Sequence, residues 1–102
     1  MIRHVVLFQR KAGVNDTEIA EVLAGIEALA DIVPGILSTS SGSDCSPEGM
    51  QRGMTHGFTV DFTDEVARDA YLVHPSHQAA GARLVASTEN GIDGLLVFDW
   101  EM

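Results

Sequence analysis

From Ile2 to Arg10 the chain is β-branched and aromatic, and it stops at Lys11-Ala12-Gly13, which predicts a first strand. Ile2, His4, Val6 and Phe8 fall on one side of it, and Arg3, Val5, Leu7 and Gln9 on the other. Apolar residues on both sides imply that the middle of this strand is covered on both faces. The period then lengthens. Ile19, Val22, Leu23, Ile26, Leu29, Ala30 and Val33 recur at helical spacing and form one apolar stripe. Asn15 is the expected N-cap, with Glu18 three residues on, and Pro34-Gly35 ends the helix. Ile36–Asp44 is polar and Ser-rich, an irregular or edge strand, and Ser46–Gly53 is a loop. Met54–Phe62 alternates cleanly, with Met54, His56, Phe58, Val60 and Phe62 on one face of a third strand. Thr63-Asp64 caps a second helix, Glu65–Val73. Pro75 interrupts it, because proline lacks an N–H and disfavours helix at the residue before it. Ser76–Ser87 is therefore a separate helical piece, and Ile92–Trp100 a final strand.

The order β-α-β-β-α-β is that of a ferredoxin-like α+β unit, a four-stranded antiparallel sheet with helices on one face. One domain, residues 1–102, accounts for the whole sequence. Val5 and Leu7 on the first strand, with Leu95 and Val97 on the last, are expected to make the second face apolar as well. Two-fold pairing with another copy is the commonest way to hide such a face, so a homodimer forming a dimeric α/β barrel is expected.

Composition narrows the function classes. Apolar residues make up 45%, enough for one modest core, and 15 acidic against 6 basic residues give a net charge of -9. That balance repels phosphate backbones and anionic lipid surfaces, so neither nucleic acid nor membrane is an expected partner. No leader-like or membrane-spanning run is present, and the expected location is the cytoplasm. Cys45 is the single cysteine. Without a neighbouring base or cation it reads as structural or incidental.

The four histidines carry the chemistry. His4 and His56 sit on strands expected to be neighbours, and His74 and His77 bracket the helix break. A cleft between sheet and broken helix is expected to gather His4, His56, Tyr71 and His77. Imidazole titrates near neutral pH, and a tyrosine can donate to a developing enolate, so the set suits general acid–base work. Purely structural hydrogen bonding is the competing reading, above all for His74, which precedes a helix-starting proline and suits an N-cap. Pro75 spoils the His74/His77 spacing for metal, and no Cys pair, HExxH or phosphate loop is present. No metal or other cofactor is implied.

The strings Ile2-Arg3-His4-Val5-Val6-Leu7-Phe8, Thr55-His56-Gly57-Phe58, Arg68–His77 with its Tyr-x-x-His-Pro-x-His core, and Val97-Phe98-Asp99-Trp100 resemble the stress-responsive A/B barrel domain (Dabb) family over nearly the whole chain. The resemblance implies a ferredoxin-like subunit in a homodimeric barrel. It implies little about activity, because most members have none assigned. One plant member closes a linear polyketide by an intramolecular aldol reaction. By its analogy His77 would be the base, His4 its orienting or enolate-stabilising partner, Tyr71 a donor to the carbonyl oxygen, and His56, with Phe58 beside it, ligand-binding. Three readings follow: a non-catalytic stress-response or ligand-binding dimer; a cofactor-independent lyase or cyclase; and a cofactor-independent monooxygenase. A small carbonyl or phenolic compound is the expected ligand class.

Overall fold

A computed structural model describes residues 1–102. Strand β1 (Ile2–Phe8) leads through a short loop into α1 (Asp16–Glu27), whose Asn15 cap accepts the Glu18 amide at 2.8 Å. Ala28–Asp31 then tightens into a 3-10 turn. Ile19, Val22, Leu23, Ile26, Leu29 and Val33 are buried as the stripe predicts, but Ala30 is exposed, because three residues per turn rotate it off the 3.6-residue stripe. Gly35 follows with φ +89, and a Cβ there would stand 2.5 Å from that of Ala67, so both conformation and space demand glycine.

Strands β2 (Ile36–Ser43) and β3 (His56–Phe62) pair antiparallel, followed by α2 (Glu65–Leu72), α3 (Pro75–Ala86) and β4 (Leu95–Glu101). The sheet order is β2-β3-β1-β4 with every pair antiparallel, the ferredoxin-like arrangement. The Ser-rich β2 is indeed an edge strand, with a register shift between Ile36 and Ser38. Some boundaries move inward. β1 ends at Phe8 rather than Arg10, β3 begins at His56 rather than Met54, and Gly91–Gly94 forms a 3-10 turn before β4.

The helices cover one face of the sheet. Ile2, Val6, Phe8, Phe58, Val60 and Phe62 meet the α1 stripe, Tyr71 and Leu84 in a single core. The register corrects the expected composition of the other face. Leu95 and Val97 lie opposite Phe8 and Val6, so they belong to the helix-covered side. Leu96, Phe98 and Trp100, opposite Leu7, Val5 and Arg3, line the open face instead. Both alternating sets of β4 are apolar, so alternation alone could not tell them apart. The open face is apolar nonetheless, with Leu96, Phe98 and Trp100 at 44%, 60% and 42% exposure. At its margin Arg3 holds Asp61 through two bonds of 2.9 and 3.0 Å. Ser38 adds a third at 3.1 Å, and these donors hold the Asp61 carboxyl below its usual range.

Candidate functional site

The helix break builds the site. Val73 closes α2, and His74 caps α3 by accepting the Ser76 amide on Nδ1 at 3.1 Å. The expected N-cap role of His74 is thus what the geometry gives, with Pro75 at the first helical position, where its missing N–H costs nothing. The break leaves the Leu72 carbonyl free of its helical partner, and His77 Nδ1 lies 3.2 Å from it. A carbonyl only accepts, so His77 carries its proton on Nδ1 and presents a bare Nε2. Burial is the main cause that lowers the His77 pKa below its ordinary value. The Leu72 bond opposes it, and the neighbouring His4 and His74 add to it.

Tyr71 is 1% exposed and packs against both imidazoles. Its ring centroid is 4.2 Å from that of His77 and 6.0 Å from that of His4, with Phe62 at 4.9 Å on another side. Its hydroxyl is buried and has no hydrogen-bond partner in the protein. Desolvation pushes its pKa up to about 12, so it remains a neutral phenol, a donor in search of an acceptor. His4, from β1, sits beside it with Nδ1 2.7 Å from Asp99 Oδ1, and Arg68 Nη1 holds the other Asp99 oxygen at 3.0 Å.

Beside these groups a cavity of about 540 Å³ opens between α1, α3 and the sheet. His4, His77 and Gln78 are its polar lining; Val6, Ile26, Phe58, Leu72, Leu84, Val85, Leu95 and Val97 wall the rest. Its size and apolar character suit a small organic ligand. The structure therefore brings His4, Tyr71, His77 and Phe58 together. It does not bring His56 with them. His56 shares their face of the sheet but lies opposite Phe8, whereas His4 lies opposite Val60. Four residues of strand separate the two positions, about 14 Å at roughly 3.4 Å per residue. His56 stacks on Phe8 at 5.7 Å, contacts Thr55 Oγ1 at 2.9 Å, and lines a separate trough near the β2–β3 loop. No cluster of three or more His, Cys, Asp or Glu side chains is placed to hold a metal, and Cys45 is exposed.

The lowered His77 pKa has a consequence for stability. As pH falls, the unfolded chain takes up the proton before the folded one, so stability is full above about pH 6.5 and declines in the interval below it. His56, also lowered by burial, acts in the same sense. The Asp61 ion pair is lost only below the ordinary carboxylate value of 3.8, outside this interval. Urea unfolding at about pH 7.5 and about pH 5.5 should show a smaller loss for His77→Asn than for the parent. Equal losses would show that His77 titrates alike in both states.

The sequence model of the family described as Stress responsive A/B Barrel Domain, Dabb, matches residues 2–102. The chain belongs to the Dabb family. Its relatives include the stress-response A/B barrel domain-containing protein HS1 of Arabidopsis thaliana, 29% identical over 100 residues, covering 98% of this chain and 88% of the relative. A dimeric ferredoxin-like protein of unknown function from Jannaschia sp. CCS1 superposes with a TM-score of 0.90 at 39% identity, covering 99% and 98% of the two chains. The hydroxynitrile lyase of Passiflora edulis superposes at 0.88 with 19% identity over 99% and 92%, a likeness of fold. Within this Dabb domain no helix is long and apolar enough to cross a membrane.

The sequence points to His4, Tyr71 and His77 but not to Asp99 or Arg68, which stand behind His4. The signal for Asp99 was present, since it is the one acidic residue inside the apolar run Leu95–Trp100. Only the register, which sets it opposite His4, turns that oddity into a partner.

Proposed function

We propose that this Dabb protein is a homodimer that binds a small, mainly apolar carbonyl or phenolic compound in the cavity between α1, α3 and the sheet. The observation that carries the reading is the buried, partnerless hydroxyl of Tyr71, whose ring packs against His4 and His77, two residues that line the cavity. A buried donor left unpaired costs about 1–3 kcal/mol, and a ligand oxygen accepting from it would recover that loss. The apolar walls supply affinity for the rest of the molecule, and the few polar groups fix its orientation. The dimeric state of the Jannaschia relative and the exposed Leu96, Phe98 and Trp100 support the pairing of two sheets through their open faces.

The test is a thermal-shift screen against short alkylphenols and β-keto acids. A ligand at 100 times its Kd stabilises the folded state by about 2.7 kcal/mol, which is of the order of 10 °C for a domain of this size. The shift should vanish in His77→Ala. A flat response across both classes would leave the histidines as structural residues.

A second reading, a cofactor-independent lyase or cyclase, is favoured by the His77 tautomer. Its Nε2 is a bare base, kept neutral by burial, next to a phenol able to donate to a carbonyl oxygen. Proton abstraction beside a carbonyl by His77, with Tyr71 stabilising the enolate oxygen, needs no group outside the chain. Deuterium exchange from the acidic carbon of a bound β-keto acid, lost in His77→Ala, would separate this reading from simple binding.

The size of the ligand is set by α3. His77, Gly81 and Val85 succeed one another at four-residue intervals on one helix face, a span of about 12 Å at roughly 1.5 Å per residue. Gly81 lines the cavity, and a Cβ built there meets nothing within 4 Å. Gly81→Leu should therefore fold at least as well as the parent, since a helix-interior glycine costs roughly 1 kcal/mol. It should also lose the ligand-induced thermal shift by filling the cavity. An unchanged shift would place the ligand elsewhere.

A further inference from the structure

We propose that Arg68 is a positioning residue that sets the tautomer of His4 through Asp99. Asp99 is the partner of His4 Nδ1, and that nitrogen has no other. Yet Asp99 sits on β4, the edge strand of the sheet, with its side chain 21% exposed. The terminal torsion of an aspartate is broad, so packing alone does little to aim its oxygens. Arg68 supplies the missing constraint by donating from Nη1 to Asp99 Oδ2 at 3.0 Å. Its own Nε is held by Asp69 Oδ1 at 2.9 Å, so the guanidinium is gripped at both ends of its fork. With Oδ2 tethered, Oδ1 faces His4. An ionised carboxylate only accepts, so the His4 proton resides on Nδ1 and Nε2 is bare.

The same helix explains the placement. Arg68 precedes Tyr71 by three residues and shares its side of α2. One helix thus delivers both the phenol that contacts the imidazoles and the cation that orients one of them from behind. His4 and His77 reach the same state by different routes, one through a backbone carbonyl and one through a carboxylate held by Arg68. Both imidazoles that line the cavity therefore carry a bare Nε2, with the buried phenol of Tyr71 packed behind them.

The experiment reads the ligand-free protein, so a failed ligand screen leaves it untouched. Long-range 1H–15N correlation at about pH 8, above the ordinary histidine pKa of about 6.5, distinguishes the two neutral tautomers of each imidazole. In the parent, His4 and His77 should both show Nδ1 protonated. In Arg68→Met, His4 should populate both tautomers while His77, held by Leu72, stays as it was. Arg68→Lys keeps a cation within reach of Asp99 and should restore most of the Nδ1–H form. If Arg68→Met does not fold, Arg68→Gln, which keeps the stem and most of its polarity, is read in its place with the same expectation. A His4 that stays wholly Nδ1-protonated in the folded neutral variant overturns the proposal, as does a parent His4 protonated on Nε2.

Discussion

Phe98→Glu should convert the proposed homodimer to a monomer at micromolar concentration. Phe98 points out of the open face, lies opposite Val5, and has Trp100 6.3 Å away between ring centroids. At 60% exposure in the single chain it has little to lose in its own subunit, so the substitution spares the core. Across a two-fold axis the change enters twice. Each desolvated carboxylate costs several kcal/mol even after relaxation, and every 1.4 kcal/mol is a factor of ten in affinity. A loss of at least ~10³ in dimer affinity is the expected scale. Sedimentation velocity checks it, with Val66→Glu as the control, because Val66 is 76% exposed on α2, on the opposite side of the sheet. A Phe98→Glu protein that still sediments as the parent does would mean that the open face is covered by something other than a second copy.

Tyr71→Phe should move stability and ligand response in opposite directions. In the free protein the hydroxyl is buried without a partner, so deleting it removes an unsatisfied donor while the ring keeps its contacts with Phe62, His4 and His77. A gain of about 1 kcal/mol or more is expected, several degrees in Tm for a domain of this length. Ligand-induced stabilisation should fall at the same time, by about tenfold in affinity for one lost hydrogen bond to a buried donor. Most tyrosine-to-phenylalanine changes in a core cost stability, so the combination is diagnostic. A variant both less stable and equally responsive would show that the hydroxyl is satisfied within the protein and that the ligand does not use it.

How far the residues spoke for themselves differs between fold and site. Periodicity was enough for the element order, because Ile19–Ile26 and Met54–Phe62 carry unambiguous periods of 3.6 and 2. The His74 cap was legible from Pro75 alone, a local effect of a residue on its predecessor. Register was not legible. The last strand is apolar on both faces, so Leu95 and Val97 were assigned to the wrong one, and the same ambiguity hid the pairing of Asp99 with His4. His56 was grouped with His4 because a shared face says nothing of distance along the strand. The partnerless state of the Tyr71 hydroxyl, on which the proposed function turns, depends on three-dimensional packing and leaves no trace in spacing.

The sheet order also governs when the site can exist during folding. β2 and β3 join residues close in the chain, but β1 must capture β4 from the far end, and His4 and Asp99 are separated by 95 positions. Distant pairings close large loops, whose entropy opposes them until most of the core is in place, so such topologies fold over milliseconds to seconds. The His4–Asp99–Arg68 chain is therefore among the last contacts to form, after the hairpin and the helices have condensed. A collapsed intermediate lacking β4 would carry Tyr71 and His77 without a finished pocket wall, since Leu95 and Val97 belong to that strand. In a stopped-flow refolding experiment, ligand competence should appear with the slowest phase, making occupancy a reporter of complete folding.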